Sequence, residues 1–233
     1  MYSAECEIDL PQNPNYEQEI SVTMNRTFEA AQKLLYKYQN ERIAVLNFAS
    51  ATNPGGGVVN GARAQEESLC RCSTLYPCLN QKYLWDNYYN IHKANYDFKY
   101  SDACIYTPDI TVIKTDINIP ERMERDKWFN VDVITCAAPN LRQAPSIVTF
   151  EEQYDIHCKR AVKILSAAIK GGASVLVLGA FGCGAFCNDP KAVAKAYKDV
   201  LKNFYGYFKI VEFAVFCNES QSYNNLVFSN VFK

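Results

Sequence analysis

An α/β domain built on a mixed, largely parallel sheet is the fold class this sequence predicts, and three observations carry that prediction. Short, almost continuous apolar runs recur along the chain, as strands covered on both faces require. Helical patterns separate them. The 233 residues, 48% hydrophobic and 21% charged, amount to about one domain's length with enough apolar material for a sizeable core.

In chain order, residues from about 1 to 40 read as an N-terminal helical extension, with a helix near Val22 to Tyr38. Ile43 to Ala49 is the first clear strand. From about 76 to 106 the chain is dense in tyrosine (76, 83, 88, 89, 96, 100 and 106) and reads as an irregular excursion packed on the same core. Further strands fit Ile110 to Ile113, Val131 to Ala137, Val175 to Leu178 and Ile210 to Phe216. Between them, Glu151 to Lys170 places Ile156, Ala161, Ile164, Leu165, Ala168 and Ile169 near one helical face and stops at Gly171-Gly172. Another helix fits Asp189 to Tyr205, with Asp189 as N-cap and Pro190 at the first helical position. No linker, repeat or low-complexity tract divides 1–233, so a single domain is expected.

Charge and cysteine usage narrow the function. With 24 Lys+Arg against 25 Asp+Glu the net charge is −1, whereas duplex-binding modules usually carry a basic excess that releases counterions. No DNA partner is expected. No apolar run approaches the roughly 18 residues of a membrane span, and Glu5, Glu7 and Asp9 make the N-terminus unlike a secretory signal. A soluble, cytoplasmic monomer without a membrane partner is the expectation. The ten cysteines contain no CxxC pair, and Cys70, Cys72, Cys78, Cys183 and Cys187 lack the spacing of a zinc knuckle. They read as buried reduced thiols, and neither a metal nor a cofactor is expected.

In such a sheet, ligands bind beyond the carboxyl ends of the strands. After the first clear strand comes Asn53-Pro54-Gly55-Gly56-Gly57, where backbone without side chains can present amides to anionic oxygens or can simply turn at the surface. After the Val175 strand comes Gly179-Ala-Phe-Gly182-Cys183-Gly184-Ala185-Phe186, leading through Asp189-Pro190 into a helix. That strand-to-helix turn suits a phosphate, yet it matches neither GxxxxGK[ST] nor GxGxxG. Two such loops on one edge point to a diphosphate. After a gap of seven residues beyond the triplet stand Gln65, Glu66 and Glu67. Adjacent carboxylates face different ways, so they cannot flank one bond as a separated glycosidase pair does, and a glutamate pair is also ordinary in the first turn of a helix.

Taken together, the Val45 to Gly57 segment, the seven-residue gap to Gln65-Glu66-Glu67 and the Leu178 to Pro190 loop resemble the microbial-type poly(ADP-ribose) glycohydrolases, as do Ile105 to Ile110 and Val133 to Asn140. That resemblance implies a macro-domain-like three-layer α/β/α fold and poly(ADP-ribose) or ADP-ribosylated protein as substrate, with ADP-ribose as product. It implies that Glu67 protonates the leaving ribose oxygen and that Glu66 holds a hydroxyl of the ribose at the scissile bond. It further implies that Asn53 binds the distal ribose, that Gly55, Gly56, Gly57 and Val58 line the diphosphate and ribose, and that Gln65 belongs to the ligand-binding set. Gly182, Cys183, Gly184, Ala185 and Phe186 would close over the diphosphate, Phe186 packing on the distal ribose. Phe216 is an adenine-stacking candidate that would serve equally well in a core.

Three functions remain open at this level: hydrolysis of the polymer, binding of ADP-ribose without cleavage, and hydrolysis of another ADP-ribosyl linkage. The paired glutamates favour an enzyme, since a reader needs no acid beside the distal ribose. Both neighbouring anions, Glu66 and the substrate diphosphate, are expected to raise the Glu67 pKa. The balanced charge narrows the mode: glycine-loop amides that add no formal charge can grip one terminal diphosphate, so mainly exo cleavage is expected.

Overall fold

The computed structural model describes residues 1–11, 14–143, 147–217 and 222–233. Its strands are β1 (Glu19–Thr23), β2 (Ile43–Phe48), β3 (Cys104–Val112), β4 (Phe129–Cys136), β5 (Val175–Leu178) and β6 (Ile210–Ala214). They form one sheet in the order β1-β6-β5-β2-β4-β3, parallel throughout except for the antiparallel edge strand β3. Helices α1 (Thr27–Lys37), α2 (Gln65–Cys72), α3 (Leu75–Leu79) and α4 (Lys82–Leu84), a π-helical turn over Trp85–Tyr89 and then α5 (Asn90–Asn95) lie to one side. On the other side lie α6 (Phe150–Lys170), α7 (Pro190–Lys202) and α8 (Tyr223–Val231). The result is a three-layer α/β/α fold on a mixed, mostly parallel sheet.

Strand periodicity explains the two cores. In β5, Val175 and Val177 join the cluster beneath α1 and α2, while Leu176 and Leu178 join the one beneath α6 and α7. Residues 43 to 46 of β2 divide in the same way, so apolar side chains are required at consecutive positions. Helix starts follow the expected chemistry. The Thr149 hydroxyl accepts the Glu152 amide at α6, and the Asp189 carboxylate accepts the Lys191 amide at α7 with Pro190 in the first turn.

The first forty residues depart from the expected helical extension. Among those described, α1 is their one helix, and Val22 lies in β1, paired with Phe213. Strand β1 is short and half-exposed at the sheet edge, which leaves little periodicity to read. Three carbonyls here face a buried cation instead of a helix: Lys163 donates to those of Ser3, Ala4 and Cys6. The tyrosine-rich excursion is largely helical up to Asn95 and enters β3 at Cys104. Its π turn inserts an extra residue into the helical repeat, which breaks the 3.6 period on which a sequence reading depends. Tyr88 and Tyr89 are buried there, in edge contact at 5.1 Å.

All ten cysteines are unpaired, with Cys70, Cys72, Cys104 and Cys136 in the core. Among the described residues no helix is long and apolar enough to cross a membrane.

At the amino end of the sheet, buried Asp132 of β4 gathers two guanidinium nitrogens of Arg42, the Tyr106 hydroxyl and the Asp109 amide (3.0 Å). Tyr106 in turn fills the space above Gly171 at the end of α6, where a Cβ would fall on its hydroxyl. Removing the acceptor strands its donors, one of them the half-exposed Arg42. The Asp132→Ala substitution is expected to lower the unfolding free energy by about 2–4 kcal/mol. Urea unfolding measures it, and an unchanged midpoint would show that the hub carries no stability.

Candidate active site

Beyond the carboxyl ends of β1, β6, β5 and β2 opens a cleft of about 500 Å³. This is where a mainly parallel sheet places ligands. One wall is assembled by the turn from β2 into α2. Gln65, the first residue of α2, ties the helix to the strand: its Oε1 accepts the Phe48 amide at 2.8 Å, and its Nε2 donates to the Leu46 carbonyl (2.8 Å) and the Thr27 hydroxyl (3.0 Å). Both ends of that amide are thus committed to the protein. Gln65 lines the cleft, but its task here is to fix the helix that carries the next two residues.

Those residues are Glu66 and Glu67, both buried, in the first turn of α2. Glu66, 3% exposed, accepts the Ser50 amide at 2.7 Å through Oε2 and the Asn47 side-chain amide at 3.3 Å through Oε1. Glu67 accepts the Gly57 amide at 2.8 Å through Oε1. Its other oxygen, Oε2, is buried without a hydrogen-bond partner among the described residues. Burial first, and more weakly the neighbouring Glu67 carboxylate, push the Glu66 pKa up to about 8, against the Ser50 and Asn47 hydrogen bonds that lower it. The sequence places a raised carboxyl at Glu67; in the structure Glu66 is such a carboxyl.

The glycine triplet is shaped around this pair. Gly56 has φ +58, and a Cβ there would fall on Glu67 Oε1 and lie 3.0 Å from Glu66 Oε2. Only glycine lets the backbone lie this close over two carboxylates. The loop's amides point inwards: Gly56 donates to Asn53, Val58 to Gly55 and Gly57 to Glu67. Of the triplet, Gly56 lines the cleft; Gly55, Gly57 and Val58 stand behind it, and Asn53 is exposed beside the Ser50 hydroxyl that accepts its amide.

The second glycine loop is built the other way round. Its carbonyls are occupied internally: Gly184 by the Cys187 amide, Cys183 by Asn224, Phe186 by the Leu141 amide and Gly182 by the Asn188 amide. The amides of Gly184, Ala185 and Phe186 have no acceptor among the described residues. Gly182, Gly184, Ala185 and Phe186 all face the cleft, while Cys183 packs behind with its thiol on the Phe181 carbonyl. A backbone whose carbonyls are occupied and whose amides are left without acceptors has the chemistry that suits an anion.

Phe216 lines the far end, 43% exposed, with the Arg26 guanidinium 3.9 Å above its ring. Sequence reasoning missed four residues here. Arg26 and Arg63 line the cleft as its cations, and buried Asp116 accepts the Phe28 amide at the start of α1 (3.0 Å) and the Ser68 hydroxyl (2.8 Å). These three lie in segments with no motif. Asn47 had a legible signal: it is a polar residue inside an apolar strand, and Thr135, opposite it in register, is another.

A profile of the family "Microbial-type PARG, catalytic domain", PARG being poly(ADP-ribose) glycohydrolase, matches residues 1–115. No curated protein sequence matches the chain significantly. Among solved structures, poly(ADP-ribose) glycohydrolase from Thermomonospora curvata bound to the inhibitor ADP-HPD is 37% identical, with 92% of this chain and 79% of that chain covered at a TM-score of 0.83. A second structure of the Thermomonospora curvata enzyme is 36% identical over 97% of this chain and 80% of that one, at a TM-score of 0.85. The enzyme from Deinococcus radiodurans in complex with ADP-ribose is 34% identical, over 93% and 84% of the two chains, at a TM-score of 0.79. With a third of its residues shared across most of both chains, this protein belongs to the microbial-type poly(ADP-ribose) glycohydrolases.

Proposed function

We propose that the chain releases ADP-ribose from the ends of poly(ADP-ribose) by hydrolysing the ribose–ribose O-glycosidic bond, with Glu67 as general acid and then base. The observation that carries this reading is Glu67 itself: one oxygen is anchored on the Gly57 amide, and the other is buried in the cleft wall with no hydrogen-bond partner among the described residues. A carboxyl held in one orientation with one free oxygen is suited to protonating a leaving group. The bond from the anomeric carbon to the leaving oxygen breaks, and that oxygen takes the proton. Water then adds to the anomeric carbon and returns a proton to Glu67. The oxocarbenium-like charge that develops between these events lies beside the carboxylates.

Burial pushes the Glu66 pKa up to about 8, so at neutral pH this carboxyl holds a proton. With the proton resting on Glu66, the second anionic charge is absent from the cleft and Glu66 can hold a ribose hydroxyl. The leaving oxygen meets the partnerless Glu67 oxygen, and the proton it takes is one that Glu67 itself carries in the bound complex. The second loop takes the diphosphate on its outward amides, and Phe216 takes the adenine. A cleft of about 500 Å³ fits one ADP-ribose unit, which supports cleavage from the polymer end. The N-terminal segment and the tyrosine-rich helices pack on the same sheet, and we read 1–233 as one catalytic domain.

Glu67→Gln is expected to lower kcat on the polymer by about 10²–10⁴, roughly 3–5 kcal/mol, while ADP-ribose binds as before. Release of ADP-ribose from the polymer and from mono-ADP-ribosylated protein, assayed side by side, measures it; near-normal hydrolysis by the variant, or release from neither substrate by the wild type, would sink the assignment. Stability offers a second check. The folded pKa of Glu66 lies above its ordinary 4.5, so the folded state holds more protons than the unfolded one between there and about pH 8. The stabilisation is complete below that window and is lost as pH rises through it. Against a Glu66→Gln reference, which cannot ionise, wild-type melting temperature is expected to fall progressively from about pH 5 to about pH 8. Parallel melting curves would contradict a protonated Glu66.

A further inference from the structure

We infer that Asn188, backed by His157, is the positioning pair that holds the diphosphate loop in its binding shape. This rests on the reading that the second glycine loop takes the diphosphate. Asn188 is 3% exposed, at the point where the loop enters α7. Its Nδ2 faces three carbonyls: Pro139 at 2.7 Å, Gly182 at 3.1 Å and Phe186 at 3.2 Å. Gly182 and Phe186 bound the amide-presenting turn, and Pro139 follows β4, so one side-chain amide ties the turn to itself and to a neighbouring strand exit. Gly182 completes the fit. With φ +77, a Cβ there would stand 2.8 Å from Asn188 Nδ2 and 2.5 Å from Ala138 Cβ.

Three surrounding acceptors fix which way round the Asn188 amide lies, because the flipped amide would set its oxygen against carbonyl oxygens. Oδ1 therefore faces His157 Nε2 at 2.8 Å and must receive a proton from it. His157 is fully buried, edge-on to Phe181 at 5.6 Å, and its Nδ1 has no partner among the described residues. The imidazole is thus the neutral tautomer with hydrogen on Nε2. Burial keeps it so, lowering its pKa to about 4. His157 belongs to a row on α6 with Gln153 and Arg160. Gln153 Oε1 accepts the Asp189 amide at 2.9 Å, and Arg160 donates to the Ala137 carbonyl. The pair touches no reacting atom; it acts by keeping the loop's carbonyls turned in, so that the amides need not reorganise when a diphosphate arrives.

The test compares ADP-ribose with adenosine, which carries no phosphate, using calorimetry on the full-length wild type and variants, with kcat and KM on polymer alongside. Asn188→Ala is expected to raise the ADP-ribose Kd and the polymer KM at least about tenfold, to leave adenosine affinity within about twofold and to leave kcat within about threefold. A general loss of structure would weaken both ligands. A folded Asn188→Ala protein with wild-type ADP-ribose affinity overturns the inference. Should that variant not fold, His157→Gln and His157→Phe decide. Glutamine can still donate to Oδ1 and is expected to bind ADP-ribose about as wild type does, whereas phenylalanine is expected to lose affinity; equal affinities overturn the inference. A wild type that binds ADP-ribose no more tightly than adenosine overturns the diphosphate reading of the loop, and this inference with it, whatever the variants do.

Discussion

Two carboxylates buried side by side must find donors, and here two of the three are backbone amides that the chain has to bring to the pair. Ser50 and Gly57 deliver theirs directly, and Asn47 adds a side-chain amide from inside the sheet. This requirement shapes everything around it. The turn after β2 must double back over the first turn of α2, Gly56 must lack a side chain, and Gln65 must tie the helix to the strand by its own amide. Burial still holds the Glu66 pKa up to about 8 against these donors, and one Glu67 oxygen is left without a hydrogen-bond partner among the described residues.

The two glycine loops therefore divide the work, although as sequence they look alike. Both are glycine-rich turns at the carboxyl ends of parallel strands, and the sequence reading gave both to the substrate's anionic groups. In the structure the first spends its amides on Glu67 and on its own turns, while the second satisfies its carbonyls and leaves three amides without an acceptor among the described residues. Glycine content reports backbone freedom but not the direction in which the freed amides point. That direction is set by the partners the loop meets: carboxylates in one case, a buried asparagine in the other.

Much of the fold was legible because burial on both faces writes itself directly into β2, β4, β5 and β6 as apolar runs, and because Asp189-Pro190 and Gly171 mark helix ends. The elements that escaped lack such marks. Strand β1 is a half-exposed edge, and the π turn at Trp85–Tyr89 disrupts the helical period among the tyrosines. Within the site, Glu66, Glu67 and the second loop could be located by motif and spacing. Arg26, Arg63 and Asp116 could not, since their arrival at the cleft depends on strand order, which no local pattern encodes. Gln65 was found by its motif, but its role was not, because hydrogen bonding to Leu46 and Phe48 depends on tertiary geometry.

The Asp132 hub and the cleft lie at opposite ends of the same strands. On β4, Asp132 stands six residues before the cleft-lining Ala138, a span of roughly 20 Å at the usual strand rise. A sheet covered by an apolar cluster on each face lies between the two. Substitutions at sites this far apart that share no partner act additively, so the stability of the scaffold and the lining of the cleft can be altered separately. A chain organised in this way can accept new loops around an old centre, and a designer seeking a hardier variant should work at the amino end of the sheet.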